Sequence, residues 1–308
     1  MNALAVFEAR RRHLRALAWR MLGSRAEAED VVQDCWLRWQ AADTAAIEQP
    51  AAWLSRVATN LCLDRLQSAR ARREHYVGVW LPEPLVDEAA AEVDAGPEAR
   101  AEYAQEVSIA FLLALERLTP LERAAFLLHD VFDLDYDEIA TRLGRSTAAC
   151  RQLVARARGH VQAGQARVDV RDEEAMPLLG AFVEASRTGD VAGLAALLAD
   201  DAVFLSDGGG KASAVPRPLV GAAKIAQVYC GFGKRWDPLR QPARPARING
   251  LPGAVIFENG AAIQTIALRV ARRADGRLCI DAVYVVRNPD KLAHLAHLAP
   301  AAPVSPPA

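Results

Sequence analysis

The stretch TPLERAAFLLHDVFDLDYDEIATRLGRSTAACRQLVARAR, residues 119–158, decides how the chain is read. Thr119 can cap a helix and Pro120 can open one, because an N-cap hydroxyl satisfies an orphan N–H and proline needs none. The helical segment that follows gives way to YDEIATRLG, the turn Gly144-Arg145-Ser146, and TAACRQLVARARGHV. Two short helices joined by a tight glycine-containing turn form a helix-turn-helix candidate. From Arg145 to His160 there are four arginines and a histidine but no acid. In such a motif the second helix lays its N-terminal residues on base edges in the major groove. Arg145, Ser146 and Thr147 stand at its start, and Arg151 and Gln152 offer bidentate donors for guanine and adenine. Arg156 and Arg158 suit phosphates. The competing reading is a solvated basic face on a structural helix.

Working outward, residues 1–75 read as helices only. Apolar residues recur at helical spacing from Leu4 to Leu22 and stop at Gly23. A second helix begins after Ser24, with Glu27, Glu29 and Asp30 in its opening turns, where the dipole favours them. It presents Asp30, Gln33, Asp34 and Trp36, a surface suited to a basic protein partner. A third starts near Pro50 and ends in Arg65, Arg70, Arg72 and Arg73. Trp53, Asn60 and that basic end combine aromatic, amide and cation, the mixture that holds unpaired bases and phosphate. Trp53 and Trp36 can equally be core residues.

Residues 76–103 break the pattern. WLPEPL, residues 80–85, carries two prolines that force extended neighbours, and an acidic excess follows, so the segment is a linker. Residues 104–168 form the second helical domain. From residue 172 two more helices precede four extended segments, AVFLS, GAVIFENG, AAIQTIALRVARR and LCIDAVYVVRN, which indicates an α+β domain with one curved antiparallel sheet over residues 172–295. The proline-alanine tail, residues 296–308, is expected to be disordered.

Composition excludes several classes. The chain has 308 residues and a net charge of −1, so affinity for nucleic acid must come from local charge. No apolar run approaches the ~18 residues of a membrane span, which predicts a cytoplasmic protein. Five scattered cysteines without a C-x-x-C pair argue against a disulfide framework and a zinc site. No metal or cofactor is expected.

Asp207-Gly208-Gly209-Gly210-Lys211 resembles a phosphate cradle only superficially. A P-loop needs Lys-Ser/Thr opening a helix, and here Ala212 follows the lysine. Residues 172–287 hold no histidine, and Asp201, Asp207, Glu258 and Asp281 form no convincing acid/base pair, so no catalytic residue is assigned.

The two helical stretches together resemble regions 2 and 4 of bacterial extracytoplasmic function (ECF) sigma factors. The match runs through EAEDVVQDCWLRWQ, AAWLSRVATNLCLDRLQSARARRE and the 119–158 stretch, in order. WLPEPL, DGGGK and Asn288-Pro289-Asp290-Lys291-Leu292 further resemble the ECF group with a SnoaL-like (NTF2-like) C-terminal domain, group 41. The resemblance implies a multi-domain chain: two all-α domains followed by an α+β SnoaL-like cone. It implies RNA polymerase core as partner, with Asp30, Gln33, Asp34 and Trp36 on the β′ clamp helices and region 4 at the β flap. It also implies promoter DNA: Trp53, Asn60, Arg65, Arg70 and Arg72 at the −10 element, and the helix with Arg151 and Gln152 at the −35 element. In the family the linker passes through polymerase channels that hold RNA; the alternative for its acidic portion is a solvated tether. The fused domain is expected to act in cis in place of a separate anti-sigma protein, through interdomain contacts of Trp80, Leu81, Pro82, Glu83, Pro84, Asp207 to Lys211 and Asn288 to Leu292. A small-molecule ligand in the cone is a further expectation.

Overall fold

The computed structural model describes residues 3–73, 76–86, 109–164, 172–233 and 235–299. The chain divides into two compact units, Met1–His75 with Ala110–Ala166, and Tyr76–Ile109 with Arg167–Ala308.

The first unit is all helix. Helices α1 (Ala3–Leu22), α2 (Arg25–Ala41) and α3 (Pro50–Arg73) bury Leu14, Leu17, Met21, Val31, Trp39 and Leu54 between them. Gly23 turns at φ 70°, and Ser24 caps α2 by accepting from the Glu27 N–H. The chain resumes with α4 (Ile109–Glu116), α5 (Pro120–Phe126), a π turn (Leu127–Val131), α6 (Tyr136–Leu143) and α7 (Thr147–Gly164). Thr119 and Glu122 form a full capping box at α5, with Pro120 in the first turn as expected. Gly144 ends α6 in the left-handed region at φ 62°, the conformation a helix-turn-helix corner requires.

Read as separate domains from sequence, the two helical regions share this one unit. Buried Arg123 on α5 donates from Nη1 to the Met21 carbonyl at the end of α1 (2.7 Å) and from Nε and Nη2 to the Leu115 carbonyl. Glu116 balances its charge at 2.8 Å. Phe132, following the π turn, packs edge-on to His13 (4.8 Å between centroids) and under the Arg20 guanidinium. Such contacts span about a hundred residues of chain, so no periodicity announces them.

The second unit is the α+β domain. Helices α8 (Asp172–Thr188), α9 (Val191–Leu197) and α10 (Ala222–Gly233) lie against a six-stranded sheet. Its strands are β1 (Leu198–Asp207), β2 (Leu219–Val220), β3 (Ala243–Ile248), β4 (Leu251–Glu258), β5 (Ala261–Arg272) and β6 (Leu278–Val286), ordered β2-β1-β6-β5-β4-β3. Alternate residues Phe204, Ile266, Leu268, Val283 and Val285 join Phe182 and Tyr229 of the helices in one core. Residues of opposite parity, Val255, Phe257, Ala267, Tyr284 and Val286, are also buried. The turn α11 (Pro289–Leu292) and a 3₁₀ helix (Ala293–Leu298) pack on β5.

Three features depart from the expected antiparallel sheet. β1 and β6 pair in parallel, which a hairpin cannot do but the long intervening crossover permits. β3 was not among the expected extended segments; its ARPARI carries Pro245, which an edge strand tolerates. Helix α10 was also passed over, although Ile225, Ala226, Tyr229 and Cys230 form a buried helical stripe. Order continues through Leu298, past the expected start of the tail at residue 296; residues 300–308 lie outside the described residues.

Candidate functional site

The DGGGK loop leaves the end of β1 and is built around the Asp207 carboxylate, which is fully buried. Four donors surround it. Oδ1 accepts from the Tyr76 hydroxyl (2.7 Å) and the Gly209 N–H (3.0 Å); Oδ2 accepts from the Leu81 N–H (2.8 Å) and Lys291 Nζ (2.8 Å). A carboxylate loses most of its hydration when buried, and a full set of donors is what allows it to stay charged there. Lys291 in turn sits over the Trp80 ring, 4.2 Å from its centroid, and donates to the Leu81 carbonyl. Burial, followed by the bond to Asp207, raises the Tyr76 hydroxyl above the usual tyrosine value and keeps it a donor.

Two of the three glycines are sterically required. Gly209 has φ 61°, and a Cβ there would lie 2.3 Å from Asn288 Nδ2; a Cβ on Gly208 would lie 2.1 Å from the Ala212 carbonyl oxygen. Close approach lets Asn288 do two things. Its Oδ1 caps α11 at the Asp290 N–H, and its Nδ2 donates to the Tyr76 hydroxyl (3.0 Å). Lys211 pairs with Asp290 at 2.6 Å, but both side chains are more than half exposed.

The linker is gripped further along. Glu83 is buried, with His294 Nδ1 3.2 Å from its carboxylate, and His294 Nε2 is 3.0 Å from the Pro84 carbonyl. Both ring nitrogens face acceptors. Leu85 exchanges bonds with Asn249, which sits at φ 49°, and Val86 bridges Ile248 at the edge strand β3. The structure thus brings together WLPEP, DGGGK and NPDKL within the second unit. Tyr76, His294 and Asn249 were missed from sequence. Each is a lone polar residue far from the motif it serves, and only the proline-flanked tryptophan hinted that this segment docks.

The recognition-helix candidates are on α7 and in the turn that leads into it. Arg145, Ser146, Arg151, Gln152, Arg156 and Arg158 are exposed, while Thr147 is half-buried. Ser146 caps the helix through the Ala149 N–H, and Thr147 donates to Asp137 (2.7 Å). Arg151 lies over the Tyr136 ring at 5.4 Å. Arg158 is engaged by both Asp130 oxygens at 2.7 Å, and Arg156 is 4.0 Å from Glu122. On α2 and α3, Arg65 bridges Asp30 (3.3 Å) and Asp34 (2.8 Å), which ties two expected polymerase contacts to an expected DNA contact. Gln33 and Asn60 are exposed; Trp36 packs on Phe7 and Trp53 on Trp39. The side chains of Arg70 and Arg72 lie outside the described residues.

The last domain also encloses a cavity of about 360 Å³, lined by Phe204, Ile256, Ser206, Gln264, Tyr229 and Arg287 among others. Among the described residues lining it there is no carboxylate or imidazole. All five cysteines are buried free thiols, and burial pushes that of Cys35 up to about 12. Among the described residues no cluster of three or more His, Cys, Asp or Glu could hold a metal ion, and no helix is long and apolar enough to cross a membrane.

Comparison with known proteins gives these arrangements a family. Residues 6–72 match Sigma-70 region 2 and residues 108–161 match Sigma-70, region 4. The ECF RNA polymerase sigma factor SigJ of Mycobacterium tuberculosis H37Rv is 39% identical over 297 residues, 92% of this chain and 91% of that protein. The chain belongs to the ECF sigma factors. The likeness extends beyond regions 2 and 4: the crystal structure of M. tuberculosis SigJ matches this sigma factor with a TM-score of 0.69 and 34% identity, covering 94% of this chain and 97% of that one. A second relative, the probable ECF sigma factor SigI of M. tuberculosis CDC 1551, is 37% identical over 189 residues, 61% of this chain and 63% of that protein. The SigJ coverage therefore takes in the C-terminal domain and the linker site as well as the two helical regions.

Proposed function

We propose that this sigma factor directs RNA polymerase core to promoters with −10 and −35 elements, and that its C-terminal domain tunes that activity in cis by holding the linker. Asp30, Gln33, Asp34 and Trp36 meet the β′ clamp helices, and region 4 meets the β flap. Trp53, Asn60, Arg65, Arg70 and Arg72 hold the opened −10 strand, while Arg145, Ser146, Thr147, Arg151, Gln152, Arg156 and Arg158 serve the −35 duplex. No separate anti-sigma protein is required.

The observation that carries the cis part is the Asp207 carboxylate, which takes two of its four hydrogen bonds from linker residues Tyr76 and Leu81. A linker segment held through the Leu81 backbone, the Tyr76 hydroxyl and the Trp80 ring is not free to thread a polymerase channel. This reading assigns no catalysis to the cone, whose described cavity walls hold no carboxylate or imidazole.

Run-off transcription with core polymerase, comparing the wild-type chain with Asp207→Asn, tests both parts. A promoter-specific product from wild type whose yield changes in the variant is expected. Absence of any specific product from both chains refutes sigma activity. Equal yields, with the variant's linker demonstrably released to protease, refute control through the linker.

A further inference from the structure

Two polar groups in the wall of the cavity have hydrogen-bonding capacity left over. The Tyr229 hydroxyl and Arg287 Nε are buried and without a hydrogen-bond partner among the described residues. Arg287 is anchored at its other end, Nη1 donating to the Ser213 carbonyl at 2.7 Å. Tyr229 is held by Phe182 (4.7 Å between centroids) and, edge-on, by Phe204 (5.8 Å), so its hydroxyl cannot turn out to solvent without repacking the core. Leaving a buried donor unmet is costly, and a ligand that supplies the partner removes that cost.

The donor set defines the ligand's chemistry. Arginine only donates, and burial raises the Tyr229 hydroxyl above its usual value against the opposing pull of Arg287, so it stays protonated. Ser186, Ser206, Ser213, Gln241 and Gln264 also line the cavity, Arg235 adds a second cation, and the remaining walls are largely aromatic and aliphatic. A fixed cation and a neutral hydroxyl in an apolar chamber, with no described anion among the lining residues, select a molecule with an apolar body and a negatively charged acceptor. The volume lies within the range of small-molecule pockets, roughly 300–1,000 Å³. We propose that the cone binds an apolar monocarboxylate, with Arg287 and Tyr229 gripping the carboxylate and the aromatic walls enclosing the body.

The site is one residue from the linker grip. Successive residues of a strand face opposite sides. Accordingly Ser206 lines the cavity while Asp207 holds the linker, and Arg287 lines it while Asn288 reaches Tyr76. The N–H groups of Arg287 and Asn288 both donate to the Asp207 carbonyl, at 2.7 and 3.1 Å. A ligand that draws on Arg287 therefore shifts the backbone that positions the grip. This coupling rests on the linker reading above; binding in the cavity does not.

Calorimetry on the full chain with benzoate, 2-naphthoate and decanoate, each beside its neutral amide, tests the site. At least one acid is expected to bind ten-fold or more tighter than its amide. Tyr229→Phe is expected to weaken it by about ten-fold and Arg287→Gln by more, while Ala254→Phe, which fills the cavity, should abolish binding. Failure of all three acids at millimolar concentration overturns the proposal, as does equal binding of acid and amide. Tyr229→Phe keeps the ring and its packing; if it loses stability without losing affinity, the hydroxyl serves a bound water and the proposal falls. Protease cleavage of the linker, followed with and without the bound acid, reads the coupling separately. A rate unchanged by a tightly bound acid refutes the coupling and leaves the site.

Discussion

The linker grip and the recognition helix use the same kinds of side chain in opposite ways. Around Asp207, charges are buried and each carboxylate oxygen accepts from two donors, so the geometry is rigid and each member depends on the rest. On α7 and the turn before it, Arg145, Arg151 and Gln152 are exposed; Arg145 donates to the Gly144 carbonyl and Arg151 lies over a ring face. Buried ion pairs stand or fall as sets, whereas exposed cations remain available to a partner. Stability and recognition are thus assigned to different regions, and the same substitution means different things in each.

The sharpest way to break this contrast is Asp207→Asn. It leaves Lys291 buried without its counter-charge, and losing one partner of a buried pair costs about 3–5 kcal/mol. The expected readout is faster protease cleavage within residues 76–86 and a fall in the unfolding midpoint; an unchanged midpoint would mean the pair is no more than a surface bridge. On the other side of the comparison, Arg151→Ala should leave the midpoint unchanged and cost about 1–3 kcal/mol of discrimination at one −35 base pair, measured by binding to single-base variants. Uniform weakening on all sequences would instead make Arg151 a phosphate contact. Gly209→Ala combines a left-handed backbone with contact against Asn288 and should cost about 1–2 kcal/mol, read from the same midpoint and from release of Tyr76. Lys211→Glu sharpens the point most gently. The Lys211–Asp290 pair is exposed, so its loss should cost roughly 0–1 kcal/mol and the difference should vanish in high salt.

Much of this was legible before the structure. Thr119, Pro120 and Gly144 mark helix boundaries by local rules, and the acid-free run from Arg145 to His160 marks the basic helix. The extended segments read between turn residues were β1, β4, β5 and β6. β3 was hidden because its tolerance of Pro245 depends on being at an edge, a property of the sheet rather than of the segment. In the linker site, Lys211 and Asp290 looked like the important charges, and they do meet. The buried pair is Asp207 with Lys291, and which acid of the two motifs meets which lysine depends on how β1 and α11 point them.

By itself the sequence determined the order of helical regions, the sheet domain, the basic face of α7 and the identity of three short motifs, because each is written in local spacing, capping or charge. Only the tertiary structure decided that these motifs converge on one buried carboxylate, that Tyr76, Asn249 and His294 complete the grip, and that regions 2 and 4 share a unit. Convergence depends on strand order and on side-chain direction over separations of up to about two hundred residues, and a linear pattern carries no record of either.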